Sequence, residues 1–425
     1  MKSKVVMALA FSAASSLFAS PAVSSVNYSQ DPDTKTVTVT YELLGEAGIP
    51  LLDIRTNGVS IGWANLRFAA GDVHQVVQPG HRRIVWNPDK AWPGHSLISG
   101  VTAVVCVWPT DNPPDWLVVN CAKGYAGQNS AVRYYAAEEQ LPEGTVDCET
   151  YKTDGKMAFR KIPAQGIVWQ MGRGDSRHKV KLTSNYYLGV FEVTQSQYER
   201  FVGSNPSMFK TDGEMRPVEC VSWDSVRGTS SVWPGSSPSE AYDSIGTGSF
   251  MYALRQHASA CKFDLPTEAQ WEFACRAGSG ADYPDGSSWT SGSTENPFLE
   301  THARYKNNSG RDSEDRGNTL STNDATAVVG SYLPNRWGLH DMHGNLYEWV
   351  LDYADDPVPT GDVTVDPVGV SDEAAANPLG RLTRGGSYLL APAYLRSDSR
   401  SKDSKRTSGS RNVGFRVCIP LFENK

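Results

Sequence analysis

The feature that most constrains this chain is a change of periodicity part-way along it. From Ser25 to about Asn120 the sequence alternates as half-buried strands do. "KTVTVTYEL", "IPLLDIRTNG", "VSIGW", "RRIVWNP", "SGVTAVVCVWP" and "DWLVVNC" are short, turn-bounded runs rich in β-branched residues. From Met157 onward that rhythm gives way to scattered strand-like runs, two short helix candidates and long Gly/Ser/Asp/Asn stretches such as "VRGTSSVWPGSSPSEAYDSIGTGS". With 38 glycines and 25 prolines, strands and long ordered loops are favoured over a helix bundle, and a β-rich multidomain chain is expected. Six or seven short strands in roughly 95 residues read as an immunoglobulin-like β-sandwich, here residues 23–121. A connector follows over 122–155, and an α+β domain over 156–425.

The head of the chain adds an address. Met1-Lys2-Ser3-Lys4 is basic, Val5 to Phe18 is apolar, and Ala19-Ser20-Pro21-Ala22 supplies small residues, which is the pattern of a secretory signal over 1–22. No cysteine stands just behind it, so a lipid anchor is not expected. The protein is expected to be secreted or at the cell surface, with the periplasm as the alternative. A formal net charge of −7 argues against a nucleic-acid partner. No apolar run reaches the ~18 residues of a membrane span.

Export turns the seven cysteines (Cys106, Cys121, Cys148, Cys220, Cys261, Cys275 and Cys418) into a redox question, and their odd number leaves at least one unpaired. Cys106 and Cys121 either bridge neighbouring strands or stay as buried thiols. No CxxC and no HExxH occurs, so zinc-finger, thioredoxin and zincin chemistry lack support.

Both helix candidates carry start signals. In "TQSQYERFVG" Thr194 is the cap and Gln197 answers it three residues on. In "LPTEAQWEFACRAG" Thr267 and Gln270 repeat the pair, Trp271 and Cys275 share a buried face, and Gly278 supplies the stop.

Six motifs then appear in order: "GVFEVTQSQYERFVGSNPS" (189–207), "PVECVSWDSV" (217–226), "FDLPTEAQWEFACRAG" (263–278), "NRWGLHDMHGNLYEWVLD" (335–352), "RGGSY" (384–388) and "RNVGFRVC" (411–418). Together they resemble the formylglycine-generating enzyme, or sulfatase-modifying factor, family. The resemblance covers roughly 156–425 and implies a compact, irregular fold related to C-type lectins. It also implies a test of activity. Catalytic members oxidise a substrate cysteine with two copper-binding cysteines just behind the RGGS turn. Counted from Arg384, those positions fall on Leu390 and Leu395, which offer no thiolate for Cu(I). No copper is therefore expected. The iron-dependent sulfoxide synthases of the same superfamily take histidines from an added helical domain, whereas the region holding His74, His81 and His95 reads as strands.

The resemblance further implies structural Ca²⁺ in "DMHGNLYEW", held by the side chains of Asp341 and Glu348 and the carbonyls of Gly344 and Leu346, a set of hard oxygen donors suited to that ion. It implies a disulfide between Cys261 and Cys418. It sets a bridge partner for Cys275 at Arg400, so Cys275 is expected free or differently paired. Trp223, Trp271, Trp337 and Trp349 are expected to anchor the core. The segment 389–410 lies where the family's active groove falls. With Tyr388 and Tyr394 for stacking and Arg396, Asp398, Arg400 and Lys402 for charge-assisted hydrogen bonds, it suits a ligand surface. The reading is a non-catalytic extracellular protein that binds a protein, a glycan or copies of itself. The alternatives are a divergent metal-dependent oxidase or non-heme iron enzyme, and a structural subunit of an extracellular assembly.

Overall fold

The computed structural model describes residues 20–94, 100–230, 233, 242–309, 325–353, 362–369 and 380–421. The expected signal segment lies almost wholly outside them, as does His95. The chain falls into two compact units: one built from residues up to Val118 with Val132–Cys148, the other from Val119–Ala131 with Glu149 onward. The segment read as a connector is thus divided between them. Among the described residues no helix is long and apolar enough to cross a membrane.

In the first unit the period-two pattern is realised directly. Along β2 (Val37–Leu44), Val37, Val39, Tyr41 and Leu43 are buried while the residues between them are more exposed. β2 lies between β1 (Ala22–Gln30) and β6 (Gly80–Trp86), and β5 (Ala70–Gly71) closes that sheet in the order β1-β2-β6-β5. A second sheet runs β4-β3-β7, where β3 is Gly48–Thr56, β4 Val59–Ser60 and β7 Val101–Pro109. Val39, Tyr41, Ile84 and Trp86 from one sheet and Leu52, Ile54 and Val105 from the other form a single apolar cluster. Two sheets over one core is what the structure shows; the strand order does not carry the immunoglobulin-like assignment further.

The second unit is a mixed α/β domain. Lys156–Ile162 pairs antiparallel with Tyr186–Gly189, which pairs in turn with Cys418–Pro420. Tyr347–Tyr353 lies between Gly380–Arg384 and the short parallel strand Val413–Gly414. A third, small sheet is built from Val168–Met171, His178–Lys181 and Thr364–Val365. The helices Gln195–Val202 and Glu268–Arg276 open on complete capping boxes at Thr194/Gln197 and Thr267/Gln270. The second helix ends at Arg276, two residues before Gly278, with Ala277 between them left-handed at φ 44°. Trp223, Trp271 and Trp349 are buried and Trp337 packs half-buried beside them, so all four serve the core.

The expected disulfide is absent. None of the seven cysteines is in a disulfide. The backbone sets Asp264, not Cys261, opposite Cys418, with N–H···O bonds of 2.7 and 2.9 Å both ways. The Cys418 Sγ meets Gln270 Oε1 at 3.8 Å instead. Cys106 is exposed on β7 and Cys121 is buried.

Candidate functional site

The "DMHGNLYEW" loop turns sharply because Asp341, Gly344 and Asn345 are all left-handed (φ 57°, 83° and 54°). At Gly344 a Cβ would run into the Arg304 carbonyl, so the turn requires glycine there. The loop leads into Tyr347–Tyr353 and buries three carboxylates around one guanidinium. Arg416 donates from Nε to Glu348 Oε2 at 2.7 Å and from Nη2 to Glu348 Oε1 at 2.6 Å. Its remaining N–H groups reach the carbonyls of Gly189 (3.0 Å) and His340 (2.9 Å). Trp271 Nε1 donates to Glu348 Oε2 at 2.7 Å. Asp341 Oδ2 accepts the Gly330 N–H at 2.7 Å, while its buried Oδ1 has no hydrogen-bond partner.

The third carboxylate, Glu192, did not emerge from the sequence. It accepts from Asn345 Nδ2 at 2.6 Å and from the Leu346 N–H at 3.1 Å. Burial first, then the neighbouring Asp341 and Glu348, push its carboxyl well above the usual range; burial also raises Asp341. The only signal for Glu192 was a lone acid inside the otherwise apolar "GVFEV".

These residues fit a calcium ion poorly. Both oxygens of Glu348 are held by Arg416, which already fills the role of the cation. One oxygen of Asp341 is held by the backbone, and only Oδ1 is open. Among the described residues no group of three or more His, Cys, Asp or Glu side chains is laid out to hold a metal. The expected set of Asp341, Gly344, Leu346 and Glu348 is brought together in one loop, but Glu348 is satisfied by Arg416 and Trp271, and Asp341 keeps only Oδ1 without a partner.

Behind the RGGS turn, Gly386 (φ 77°) lets the chain pass close to Tyr394 and Leu395. Leu395 is 0% exposed, in an apolar cluster with Tyr283, Phe298, Leu299, Ala303 and Tyr305, and Leu390 packs against it. His343 Nδ1 donates to the Leu395 carbonyl at 2.6 Å, and Cys275 Sγ lies 3.5 Å from His343 Nε2. Burial pushes the Cys275 thiol up to about 12 and the His343 imidazole down to about 4, so both are neutral near pH 7.

The expected ligand surface is only partly a surface. Tyr388 is 0% exposed and packs edge-on against Phe209 at 5.7 Å, which removes it from any ligand. Arg400 is half-buried and bonded to Glu268 at 2.9 Å. Tyr394 is 59% exposed and Lys402 is exposed. Between them Arg396 pairs with Asp398 at 3.1 Å and stands 5.7 Å over the half-exposed Trp289 ring.

Comparison with known proteins bears on this arrangement. The model of the sulfatase-modifying factor enzyme 1-like domain matches residues 141–421. A chaperone protein LppX of Paenibacillus barcinonensis is 28% identical over 224 residues, 46% of this chain and 72% of that protein. A formylglycine-generating enzyme of Streptomyces coelicolor is 36% identical over 158 residues, 36% of this chain and 46% of that one. Among solved structures, Treponema denticola variable protein 1 superposes with a TM-score of 0.45 at 25% identity, covering 62% of this chain and 95% of that one.

Proposed function

The chain belongs to the family of the sulfatase-modifying factor enzyme 1-like domain, and from that premise we propose that it is an exported, non-catalytic binding or assembly protein. The observation that carries this reading is the packing of Leu390 and Leu395, the positions set against the family's copper-binding cysteines. On the correspondence that the family resemblance implies, hydrocarbon stands in this reading where two thiolates would hold the metal, and it supplies neither a donor nor a nucleophile. The thiol that approaches this cluster, Cys275, is held protonated, and a protonated thiol is neither ligand nor nucleophile. The matched relatives carry the names of both enzymes and a chaperone protein, so membership alone leaves the activity open.

In this reading the recognition surface is Tyr394, Trp289, the Arg396–Asp398 pair and Lys402. An exposed phenol, a half-exposed indole and fixed charges suit an extracellular protein or glycan. The N-terminal unit, read as an immunoglobulin-like sandwich, acts as spacer or attachment domain. No calcium step enters.

The test is elemental analysis of mature protein kept away from chelators and nickel resin, with a cysteine-peptide oxidation assay under air and added Cu(I). The wild-type protein is expected to hold no stoichiometric copper or iron and to leave the peptide unoxidised. A Leu390→Cys/Leu395→Cys variant is expected to gain copper. Stoichiometric copper or iron in the wild-type protein, or turnover of the peptide, overturns the proposal in favour of a divergent metal enzyme.

A further inference from the structure

We propose that the small sheet of the second unit docks an acidic, extended segment of a partner protein, added as a fourth strand along Val168–Met171. This site shares no residue with the surface at Tyr394. The sheet runs Val168–Met171, His178–Lys181, Thr364–Val365, so among the described residues Val168–Met171 is paired on one side only. A strand with one free side presents unpaired N–H and C=O groups, which is a template for strand addition.

The register fixes what the outward face carries. Val168 pairs with Lys181, and Lys181 with Val365, so these three side chains form one row across the sheet. Trp169, Val180 and Thr364 form the next row on the opposite face, and Val180 is fully buried there. The outward row is therefore valine–lysine–valine, with Gln170 and Lys179 beside it. Val168 is 50% and Val365 55% exposed, and Ile167 and Val363 next to them are also exposed.

Charge selects the partner. Between 161 and 181 the chain has five lysines and arginines against one carboxylate, Asp175, although the whole chain carries a net charge of −7. Arg173 is spent on Asp282 and Lys161 is buried. Arg177, Lys179 and Lys181 are not ion-paired to any described carboxylate. A purely anionic polymer would match the cations and leave the valines wet. A segment alternating acidic with β-branched residues satisfies both. A fourth strand would lie ~5 Å from Val168–Met171 and ~10 Å from Lys179 and Lys181, which a glutamate and a lysine side chain together span. The valines and isoleucine sit on strands or directly beside them rather than on a protruding loop or amphipathic helix, which favours a peptide over a bilayer.

The probe is a fluorescein-labelled peptide Glu-Thr-Glu-Val-Glu-Thr-Glu, read by anisotropy on the full chain, with hydrogen exchange of the complex. The expected result is binding that weakens at least about tenfold from low to high salt, slowed exchange confined to 167–171, and at least about tenfold loss in Lys179→Glu/Lys181→Glu. That variant is expected to keep the wild-type Tm, because Lys179 is exposed, Lys181 is only half-buried, and neither is ion-paired to a described carboxylate. Failure to bind, equal binding of the lysine-for-glutamate peptide, binding without protection at 167–171, or indifference to the charge reversal each overturns it. So does preferential binding to phosphatidylcholine vesicles containing phosphatidylglycerol, which would reassign the face to lipid.

Discussion

The two units stabilise irregular and regular chain by different means. The first relies on regular strands: buried positions on β2, β6 and β7 come every second residue, β3 is buried from Gly48 to Ile54, and their side chains meet in one apolar cluster. The second buries charge. Arg216, Arg227, Arg276, Arg381, Arg384 and Arg416 are all buried, and all belong to it. Their guanidiniums reach carboxylates and backbone carbonyls far away in sequence: Arg227 to Asp264, Arg384 to Glu272, Arg416 to Glu348 and Gly189. Long loops without secondary structure leave many carbonyls unpaired, and a five-donor fork satisfies several at once. Where the chain lacks ladders, arginine replaces them.

The sharpest way to break this contrast is Arg416→Met. Removing the cation leaves Glu348 buried beside Glu192 and Asp341 without its partner. The expected cost to the second unit is about 3–5 kcal/mol. Arg416→Lys is expected to fall short of rescue, because an ammonium cannot hold both oxygens of Glu348 and two carbonyls in one plane. Calorimetry checks this. A loss confined to one transition, with the first unit melting as in wild type, sustains the contrast, and a variant as stable as wild type ends it.

The first unit has its own buried ionisable group. His74 donates from Nδ1 to the Tyr134 carbonyl at 2.9 Å and lies tilted against the Tyr135 ring at 4.7 Å, and burial lowers it from 6.5 to about 4. Between those values the unfolded chain binds the proton and the folded one does not. The stability present above pH 6.5 is therefore lost as pH falls from 6.5 toward 4, by about 3 kcal/mol. His74→Asn keeps a donor for Tyr134, suits the left-handed φ of 59°, and does not titrate. Its pH–stability profile is expected to be flatter over that window. An unchanged profile would place the acid sensitivity elsewhere.

How far each unit was legible in the sequence follows from the same contrast. Period two is local, so the strands holding Val37–Leu44 and Gly80–Trp86 are visible without knowing their neighbours. The capping boxes at Thr194 and Thr267 are local too. Buried pairing is not. Nothing near Arg416 indicates that its carboxylate is 68 residues away, and nothing near Cys418 indicates that Asp264 rather than Cys261 faces it. Family resemblance located the "DMHGNLYEW" loop and the leucines at 390 and 395. It could not show that Tyr388 turns inward, because that depends on the pocket formed with Phe209, Ala325 and Leu346.

A smaller effect sharpens the account of the charged loop. Asp341→Asn retains an oxygen for the Gly330 N–H and removes one of three clustered buried carboxyl groups. It also takes away the Asp341 charge that helps to raise the Glu192 carboxyl. A gain of about 1 kcal/mol is expected, with Tm insensitive to calcium or chelator in both proteins. If calcium raises the wild-type Tm and Asp341→Asn abolishes that rise, the loop holds an ion after all, and Arg416 shares its carboxylate with it.

The smallest effect on stability belongs to the proposed recognition surface, and it separates binding from folding most cleanly. Tyr394 and Lys402 are exposed, so Tyr394→Ala and Lys402→Ala are expected to change stability by less than about 0.5 kcal/mol. Leu395→Ala, one residue from Tyr394 and fully buried, is expected to cost about 2–5 kcal/mol. Thermal melts of the three variants decide whether neighbouring positions in this segment differ as surface and core. Equal losses at Tyr394 and Leu395 would mean that the segment is one packed unit, with no face left to offer a ligand.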